Sequence, residues 1–293
     1  MFFRTDLAME AAAQLSSQKR GILQDVRKAK DLTITEVTIK SDKAAKEIGK
    51  LKGKYITIEF PPLTDNFENT DSRLEVISKQ IARLIPPDGL AFVVGLGNSN
   101  ITPDAFGPQT VGSILATRHI TGEVAKSTGL DSLRPVATLS PGVLGQTGLD
   151  VSEIIQSIIK KIKPSVLIVV DALAAMDSNR LGTTIQISDT GISPGSGVGN
   201  PRPVISQETT GVKVISIGVP TVVDAQTLTN NILRCLGKDE IDLKNNSASC
   251  NKSMVVTPRE IDLLIERASK LTAMAINSAL QPAFSIDDIM ALV

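Results

Sequence analysis

PSVLIVVDALAAM, residues 164–176, is an apolar stretch interrupted by one carboxylate, Asp171. The run from Val166 to Val170 is rich in β-branched residues and does not alternate with polar ones, so it predicts a strand buried on both faces of a helix-covered sheet. Ligands of open α/β sheets bind just beyond the carboxyl ends of the strands. We therefore expect the strand to end near Asp171, which is either the N-cap of a following helix or a site residue.

Apolar strands alternate with helical segments on both sides of this stretch. The predicted strands are residues 90–98, 134–140, 165–173 and 212–220, and the predicted helices are 107–119, 150–162 and 225–236. Residues 183–191 alternate more regularly, which predicts an edge strand or a hairpin. This order favours an α/β fold with a mixed, mostly parallel sheet flanked by helices, and one domain over residues 1–293.

The two ends of the chain differ from this pattern. We expect a helix over 11–27, a small peripheral antiparallel β ribbon from 32–41 and 54–60, and a helix over 72–84. Residues 237–253 are polar and rich in helix breakers, so they predict a flexible loop. A long helix is expected from Thr257-Pro258 to about Ala279.

Composition excludes several classes of function. The 293 residues are 42% apolar, and 31 Lys and Arg balance 31 Asp and Glu, so no basic surface for direct nucleic-acid binding is expected. No segment has the length of a membrane span or the apolar core of a secretion signal, which predicts a cytoplasmic protein without membrane contact. Cys235 and Cys250 lack metal-site spacing and fit reduced thiols.

Common catalytic motifs are also missing. GLGNSN at 95–100 has Asn100 where a dinucleotide fingerprint needs its third glycine, and no P-loop or GxSxG elbow occurs. The glycine-rich residues 191–200 could cradle an anion or form a flexible loop. His119 is the only histidine, and its position at a predicted helix end suggests contact with terminal carbonyl groups rather than catalysis. Carboxylates are left to carry acid-base chemistry.

Asp104 is the second candidate carboxylate. It lies in SNITPDAFGP, residues 99–108, directly after a predicted core strand and therefore at the same sheet edge as Asp171. Pro103 and Gly107-Pro108 constrain this loop. The two acids could face each other, or Asp104 could be the N-cap of a helix that begins near Phe106.

Several stretches resemble the germination proteases of spore-forming Firmicutes over nearly the whole chain. They are RTDLAME (4–10), VVGLGN (93–98), TPDAFGP (102–108), VDALAA (170–175), TIQISDTGISPGSGVGN (184–200) and IGVPTVVDA (217–225). The resemblance implies a phosphorylase/hydrolase-like fold, similar to hydrogenase-maturation peptidases. It also implies an endopeptidase that begins the degradation of small acid-soluble spore proteins during germination, assembled as a homotetramer in the forespore or spore core.

For the site, the resemblance implies a catalytic aspartate pair, Asp104 and Asp171, with no metal and no cofactor. Two close carboxylates share one proton, so the ionised member can activate water while the protonated one donates to the scissile carbonyl. Gly97 and Asn98 form a candidate oxyanion or substrate loop by position alone. The alternatives are a metal-dependent maturation-type peptidase, with His119 as a third ligand, and a non-enzymatic binding module in which both aspartates cap helices.

The N-terminus carries a separate signal. The family's substrates are cut after the Glu of a site resembling Thr-Glu-Phe/Ile-Ala-Ser-Glu, and residues 5–10 read Thr-Asp-Leu-Ala-Met-Glu. The resemblance thus predicts self-cleavage between Asp6 and Leu7, with residues 1–6 as a propeptide that is shorter than in the family. The alternative is a frayed terminus with ordinary helix-start residues.

Overall fold

The computed structural model describes residues 4–15, 21–63, 72–128, 130–196, 199, 202–237 and 254–292. Within them lies one nine-stranded sheet. In chain order its strands are β1 (Ile22–Ala29), β2 (Leu32–Ile39), β3 (Gly53–Glu59), β4 (Ala91–Gly95), β5 (Val136–Leu139), β6 (Val166–Ala175), β7 (Thr184–Ser188), β8 (Lys213–Asp224) and β9 (Val255–Val256).

The sheet has a parallel half and an antiparallel half. Strands β5, β4, β6 and β8 are parallel neighbours in that order. From β8 the sheet continues through antiparallel pairs to β7, β3, β2 and β1, and β9 adds a short antiparallel pair to β8. The predicted α/β fold with a mixed sheet is confirmed, and the antiparallel ribbon is continuous with the core sheet through β7.

Strand β6 is the centre of the hydrophobic core. It lies between β4 and β8, with Ile168 opposite Val93 on one side and Ile215 on the other. Nine of its ten residues are buried, as expected for a strand covered by helices on both faces. Ile168 and Val170 belong to one core cluster, and Leu167 and Val169 belong to another.

The helices cover both faces of the sheet. They are α1 (Ala8–Ala13), α2 (Asp42–Ile48), α3 (Ser72–Ala82), α4 (Phe106–Gly112), α5 (Gly122–Thr128), α6 (Leu144–Thr147), α7 (Val151–Ile162), α8 (Gln207–Thr210), α9 (Ala225–Cys235), α10 (Ile261–Leu280) and α11 (Ile286–Leu292). Helices α3 and α10 pack together in the cluster that contains Ile168, whereas α7 packs in the cluster that contains Leu167. Among the described residues, no helix is long and apolar enough to cross a bilayer.

Three sequence predictions were wrong in their details. The helix expected over 11–27 is replaced by α1 and β1, because β1 is an exposed edge strand that carries no burial alternation for the sequence to reveal. The segment 183–191, expected as an edge strand or a hairpin, contains the internal strand β7, which pairs with β3 and β8. The helix expected over 107–119 ends at Gly112. Residues 238–253 of the expected flexible loop lie outside the described residues.

Helix α4 lies unusually close to the ends of β4 and β6. A Cβ atom on Gly107 would lie 2.2 Å from the Leu96 carbonyl oxygen and 2.6 Å from that of Val170. Both distances are shorter than any real contact of this kind. Only glycine therefore allows the start of α4, and with it the loop that carries Asp104, to approach the carboxyl edge of the sheet.

We expect Gly107→Ala to lower the free energy of unfolding by about 1–3 kcal/mol, because backbone atoms would have to move. Gly112→Ala is the matched control in the same helix, since a Cβ there meets nothing within 4 Å. It should leave the stability unchanged or raise it by up to about 1 kcal/mol. Urea unfolding of the two variants checks this, and equal stabilities would contradict the close approach of α4.

Candidate active site

Asp171 lies inside β6 and not at its end. The strand continues to Ala175, so the residues expected to start a helix are extended, and the N-cap interpretation of Asp171 is wrong. The extension is possible because β8 also runs on, to Asp224, and keeps pairing with β6 past a register shift after Leu173. Asp171 itself pairs with Gly218 and is only 7% exposed. A carboxyl group is therefore held within an otherwise apolar strand.

Asp104 lies in a 3-10 turn, Thr102–Asp104, between β4 and α4. The N-cap of α4 is Ala105, which makes no side-chain capping bond, so the capping interpretation of Asp104 is also wrong. The Asp104 carboxylate instead accepts a hydrogen bond from the Asn98 N–H at 2.8 Å. The Thr221 hydroxyl donates to the Pro103 carbonyl at 2.8 Å and ties this turn to β8, the strand that neighbours Asp171.

The loop between β4 and this turn wraps closely around Asp104. Gly97 has φ of +122°, and a Cβ there would lie 2.0 Å from the Asp104 carbonyl oxygen. Asn98 gives its N–H to Asp104, and its side-chain oxygen accepts from Gln146 at 2.7 Å and from the Asn100 N–H at 3.0 Å. Gly97 and Asn98 thus position Asp104, and their expected contact with a substrate stays a prediction.

The two carboxyl groups interact electrostatically. Burial raises the pKa of Asp171 well above its usual value, and the negative charges of Asp104 and then of Asp6 raise it further. Burial also raises the pKa of Asp104, but the hydrogen bond from Asn98 opposes this rise. The environment therefore favours a proton on Asp171 more strongly than on Asp104.

A cleft of about 880 Å³ lies beside Asp171. Its walls come from the end of α2 and the residues after it, from β7 and β8, and from the glycine-rich loop that follows β7. The cleft wall includes Asp6, Lys50, Asp171, Gln186 and Ser196. Clefts of this size are typical of ligand sites.

The N-terminal segment lies along the extension of β6 and contributes Asp6 to the wall of this cleft. The Asp6 N–H donates to the Ala174 carbonyl at 2.8 Å, and the Ala174 N–H donates to the Asp6 carboxylate at 2.9 Å. Gln186 donates to the Asp6 carbonyl at 3.1 Å. Leu7 is fully buried and packs against Leu173 and Ala175. These contacts contradict the alternative of a frayed terminus for this segment.

Glu10 anchors the other end of the same segment. Its carboxylate is 4% exposed and accepts hydrogen bonds from the N–H groups of Met176 at 2.7 Å and Asp177 at 3.0 Å. The Arg180 Nε lies 3.1 Å from the carboxylate, and the Thr5 hydroxyl donates to it. Burial raises the pKa of Glu10, and these partners oppose the rise. Thr5 and Glu10 thus hold the chain on both sides of the Asp6–Leu7 bond.

His119 does not belong to this group of acidic residues. It is exposed in a turn closed by a hydrogen bond from the Ile120 N–H to the Thr117 carbonyl at 2.9 Å, and not in a helix as expected. In the part of the chain that the structure describes, no three His, Cys, Asp or Glu residues are grouped as metal ligands would be. The structure therefore does not bring His119 to Asp104 and Asp171.

Three side chains of the cleft were not predicted as site residues, although Gln186 and Ser196 lie in stretches singled out by their sequence pattern. Lys50, Gln186 and Ser196 contact the N-terminal segment, but each comes from a different part of the chain. Lys50 follows the left-handed Gly49 that ends α2, Gln186 lies on β7, and Ser196 lies in the glycine-rich loop. Their convergence depends on long-range pairing, which no local motif encodes.

Residues 4–253 match the family model described as germination protease. The chain belongs to the germination protease family. It is 39% identical to the germination protease of Clostridium acetobutylicum, over 98% of this chain and 97% of the relative, and 40% identical to that of Clostridium perfringens over the same shares. Identity to the germination protease of Priestia megaterium is 35%, over 94% of this chain and 93% of the relative. The protein is thus a peptidase of this family.

A solved structure is also similar to this chain. It is a NiFe hydrogenase maturation protease from Thermococcus kodakarensis, which is 16% identical, with a TM-score of 0.38. The similarity covers 67% of this chain and 98% of that structure.

The raised pKa of Asp171 has a consequence for stability. Its carboxyl group holds a proton more tightly in the folded than in the unfolded chain. The resulting stabilisation of the folded chain is fully present below about pH 4 and is lost as the pH rises through the folded-state pKa. The side chain of Asp171→Asn stays neutral at every pH. We therefore expect the difference in free energy of unfolding between this variant and the wild type to shift in favour of the variant from about pH 4 to about pH 7.

Urea unfolding across this pH range measures the effect, with intact mass confirming uncut chains. Asp25→Asn, at an exposed position on β1, is the control and should follow the wild type at every pH. An Asp171→Asn curve parallel to that of the wild type would show that burial does not disfavour the ionised carboxylate.

Proposed function

We propose that this germination protease family member is an endopeptidase that begins the degradation of small acid-soluble DNA-binding spore proteins during germination. It would be made as a self-processing zymogen that cuts its own Asp6–Leu7 bond, with Asp104 and Asp171 activating a water molecule. The substrate class, a homotetrameric assembly and a location in the forespore or spore core are carried by the family resemblance.

One observation supports the aspartate mechanism above all. A buried carboxyl group, Asp171, lies in the middle of an apolar strand, and its pKa is raised both by burial and by the charge of Asp104. Neither side chain caps a helix. A pair of acids in which one holds its proton more tightly than the other is the arrangement that combines a general base with a general acid.

The surroundings suggest which aspartate takes which role. Asp104 accepts a hydrogen bond from Asn98, which favours its ionised form, so it takes a proton from the attacking water as the new C–O bond forms. Asp171, the more deeply buried acid, gives its proton to the carbonyl oxygen. Asp104 then passes its proton to the amine nitrogen as the C–N bond breaks. The carbonyl reforms as a hydroxyl proton returns to Asp171, and one water is consumed.

The docked N-terminal segment supports the zymogen part of the proposal. Asp6 and Asp171 both line the cleft, Leu7 is buried directly after Asp6, and the charge of Asp6 contributes to the raised pKa of Asp171. Contacts on both sides hold the segment, from Thr5 to Glu10. The order of residues in this segment matches the site at which the family's substrates are cut.

We expect Asp104→Asn and Asp171→Asn each to slow self-cleavage at Asp6–Leu7 by about 10²- to 10⁴-fold in folded protein, because each removes one of the two proton carriers. Intact mass over time measures the cleavage, and circular dichroism checks the fold. Asp150→Ala is the matched control, since Asp150 is a true N-cap of α7 that accepts from the Ser152 N–H.

The control should lose about 1 kcal/mol of stability and keep full cleavage. A non-enzymatic binding module predicts that the wild type and all three variants stay uncut. Normal self-cleavage in Asp104→Asn or in Asp171→Asn would overturn the aspartate mechanism.

The alternative of a metal-dependent maturation-type peptidase is tested by removing metals. We expect self-cleavage to be unchanged after exhaustive dialysis against EDTA and phenanthroline, and unchanged by added Zn²⁺ or Mn²⁺, because the mechanism requires only the two carboxyl groups. Asp104→Asn treated in the same way serves as the inactive reference. Loss of cleavage on chelation and recovery with one metal would support the alternative instead.

A further inference from the structure

We propose that Lys50, with the Ser196 hydroxyl and the Ala174 N–H, forms the subsite that recognises an acidic side chain directly before the bond that is cut. This inference rests on the proposed function and adds a specificity-determining residue to it. The segment that docks in the cleft shows how such a side chain would be held, because Asp6 occupies that position in the uncut chain.

Three groups from three parts of the chain converge on the Asp6 carboxylate. The Ala174 N–H donates to one oxygen at 2.9 Å, and the Ser196 hydroxyl donates to the other at 2.8 Å. The Lys50 ammonium lies 3.8 Å from that second oxygen and donates to the Thr5 carbonyl at 2.9 Å. Lys50 thus contacts both the side chain of the residue before the bond and the backbone of the residue before that.

Lys50 is buried for a lysine. Its side chain is only 12% exposed. Burial lowers its pKa, and the charges of Asp6 and Glu10 oppose this. Glu10 is already bound by the Met176 and Asp177 N–H groups and by Arg180, so Asp6 is the carboxylate that Lys50 shares with Ser196 and Ala174.

Cleavage between Asp6 and Leu7 would remove both the Asp6 carboxylate and the Thr5 carbonyl from Lys50. The ammonium group would then have lost both partners, and a substrate that covers it again without a carboxylate would bury it unpaired, which is costly. A substrate with an acidic side chain before its scissile bond restores the partner, whereas a neutral side chain leaves the ammonium unpaired and a basic one adds repulsion. The processed cleft should therefore select acidic residues at this position.

The test compares two peptides within each protein variant. One peptide has the sequence of residues 1–15 of this chain, and the other carries Asn in place of Asp6. Each full-length variant is first allowed to self-cleave, and the ratio of kcat/KM for the two peptides is then measured. Because both peptides are cut by the same preparation, the ratio does not depend on the fraction of protein that is folded or processed.

We expect the wild type to prefer the Asp peptide by at least about tenfold, and Lys50→Gln to lose most of this preference because the charge is gone. Ser196→Ala, at an exposed position, should weaken the preference less, since it removes one neutral hydrogen bond. Lys46→Gln is the matched control: Lys46 lies on the same cleft wall but is exposed, so the wild-type ratio should remain.

A second measurement uses self-cleavage of the full chain. Asp6→Asn and Lys50→Gln should each slow it, and the double variant should be no slower than Lys50→Gln alone, since the two changes remove one interaction. The subsite would be overturned if Lys50→Gln kept the wild-type peptide ratio, or if the effects of the two substitutions multiplied in the double variant. Either result would leave the peptidase proposal intact. A wild type that cuts neither itself nor the peptides would overturn both proposals.

Discussion

The proposed chemistry depends on the cost of ionising a carboxyl group inside an apolar strand. Every other residue of β6 is Val, Leu, Ile or Ala, and the strand lies between two neighbours under helices on both faces. Within the described residues, no cation lowers the pKa of Asp171, and the two charges that act on it, Asp104 and Asp6, are negative. Such a group stays protonated at a pH where ordinary aspartates are ionised. If Asp171 only stabilised the strand, an apolar residue at this position would serve without the cost of burying a carboxyl group.

The same strand links the acid pair to the docked segment. Because β6 continues past Asp171, the backbone of Ala174 is available to Asp6, and Leu173 and Ala175 cover Leu7. The start of α4, which approaches through Gly107, brings Asp104 to the same edge. Asp171, Asp104 and the Asp6–Leu7 bond are thereby positioned by one strand and the segments that pack on it. Lys50, which follows α2, and Ser196, in the loop after β7, complete the arrangement.

The sequence predicted the features that depend on local patterns. The apolar run of β6 identified the central strand, and the loop around Pro103 placed Asp104 at the carboxyl edge. The features that were missed depend on tertiary pairing. Strand β1 is stabilised by β2 and shows no alternation, and β6 extends beyond Asp171 because β8 and the N-terminal segment supply partners there. The Ala172–Ala175 stretch has high helix propensity, and the sheet overrides it. The contacts of Lys50 are equally invisible locally.

The central claim is that Asp171 keeps a proton because it is buried in an apolar strand, and that the negative charge of Asp104 strengthens this effect. Carboxyl carbon NMR of aspartate-labelled protein, with signals assigned from the single Asn variants, follows this proton directly. We expect Asp171 to titrate well above a normal aspartate and its titration to move to lower pH in Asp104→Asn, since one of the causes of the shift is removed. An Asp171 signal that titrates like an ordinary surface aspartate, with or without Asp104, would contradict the account.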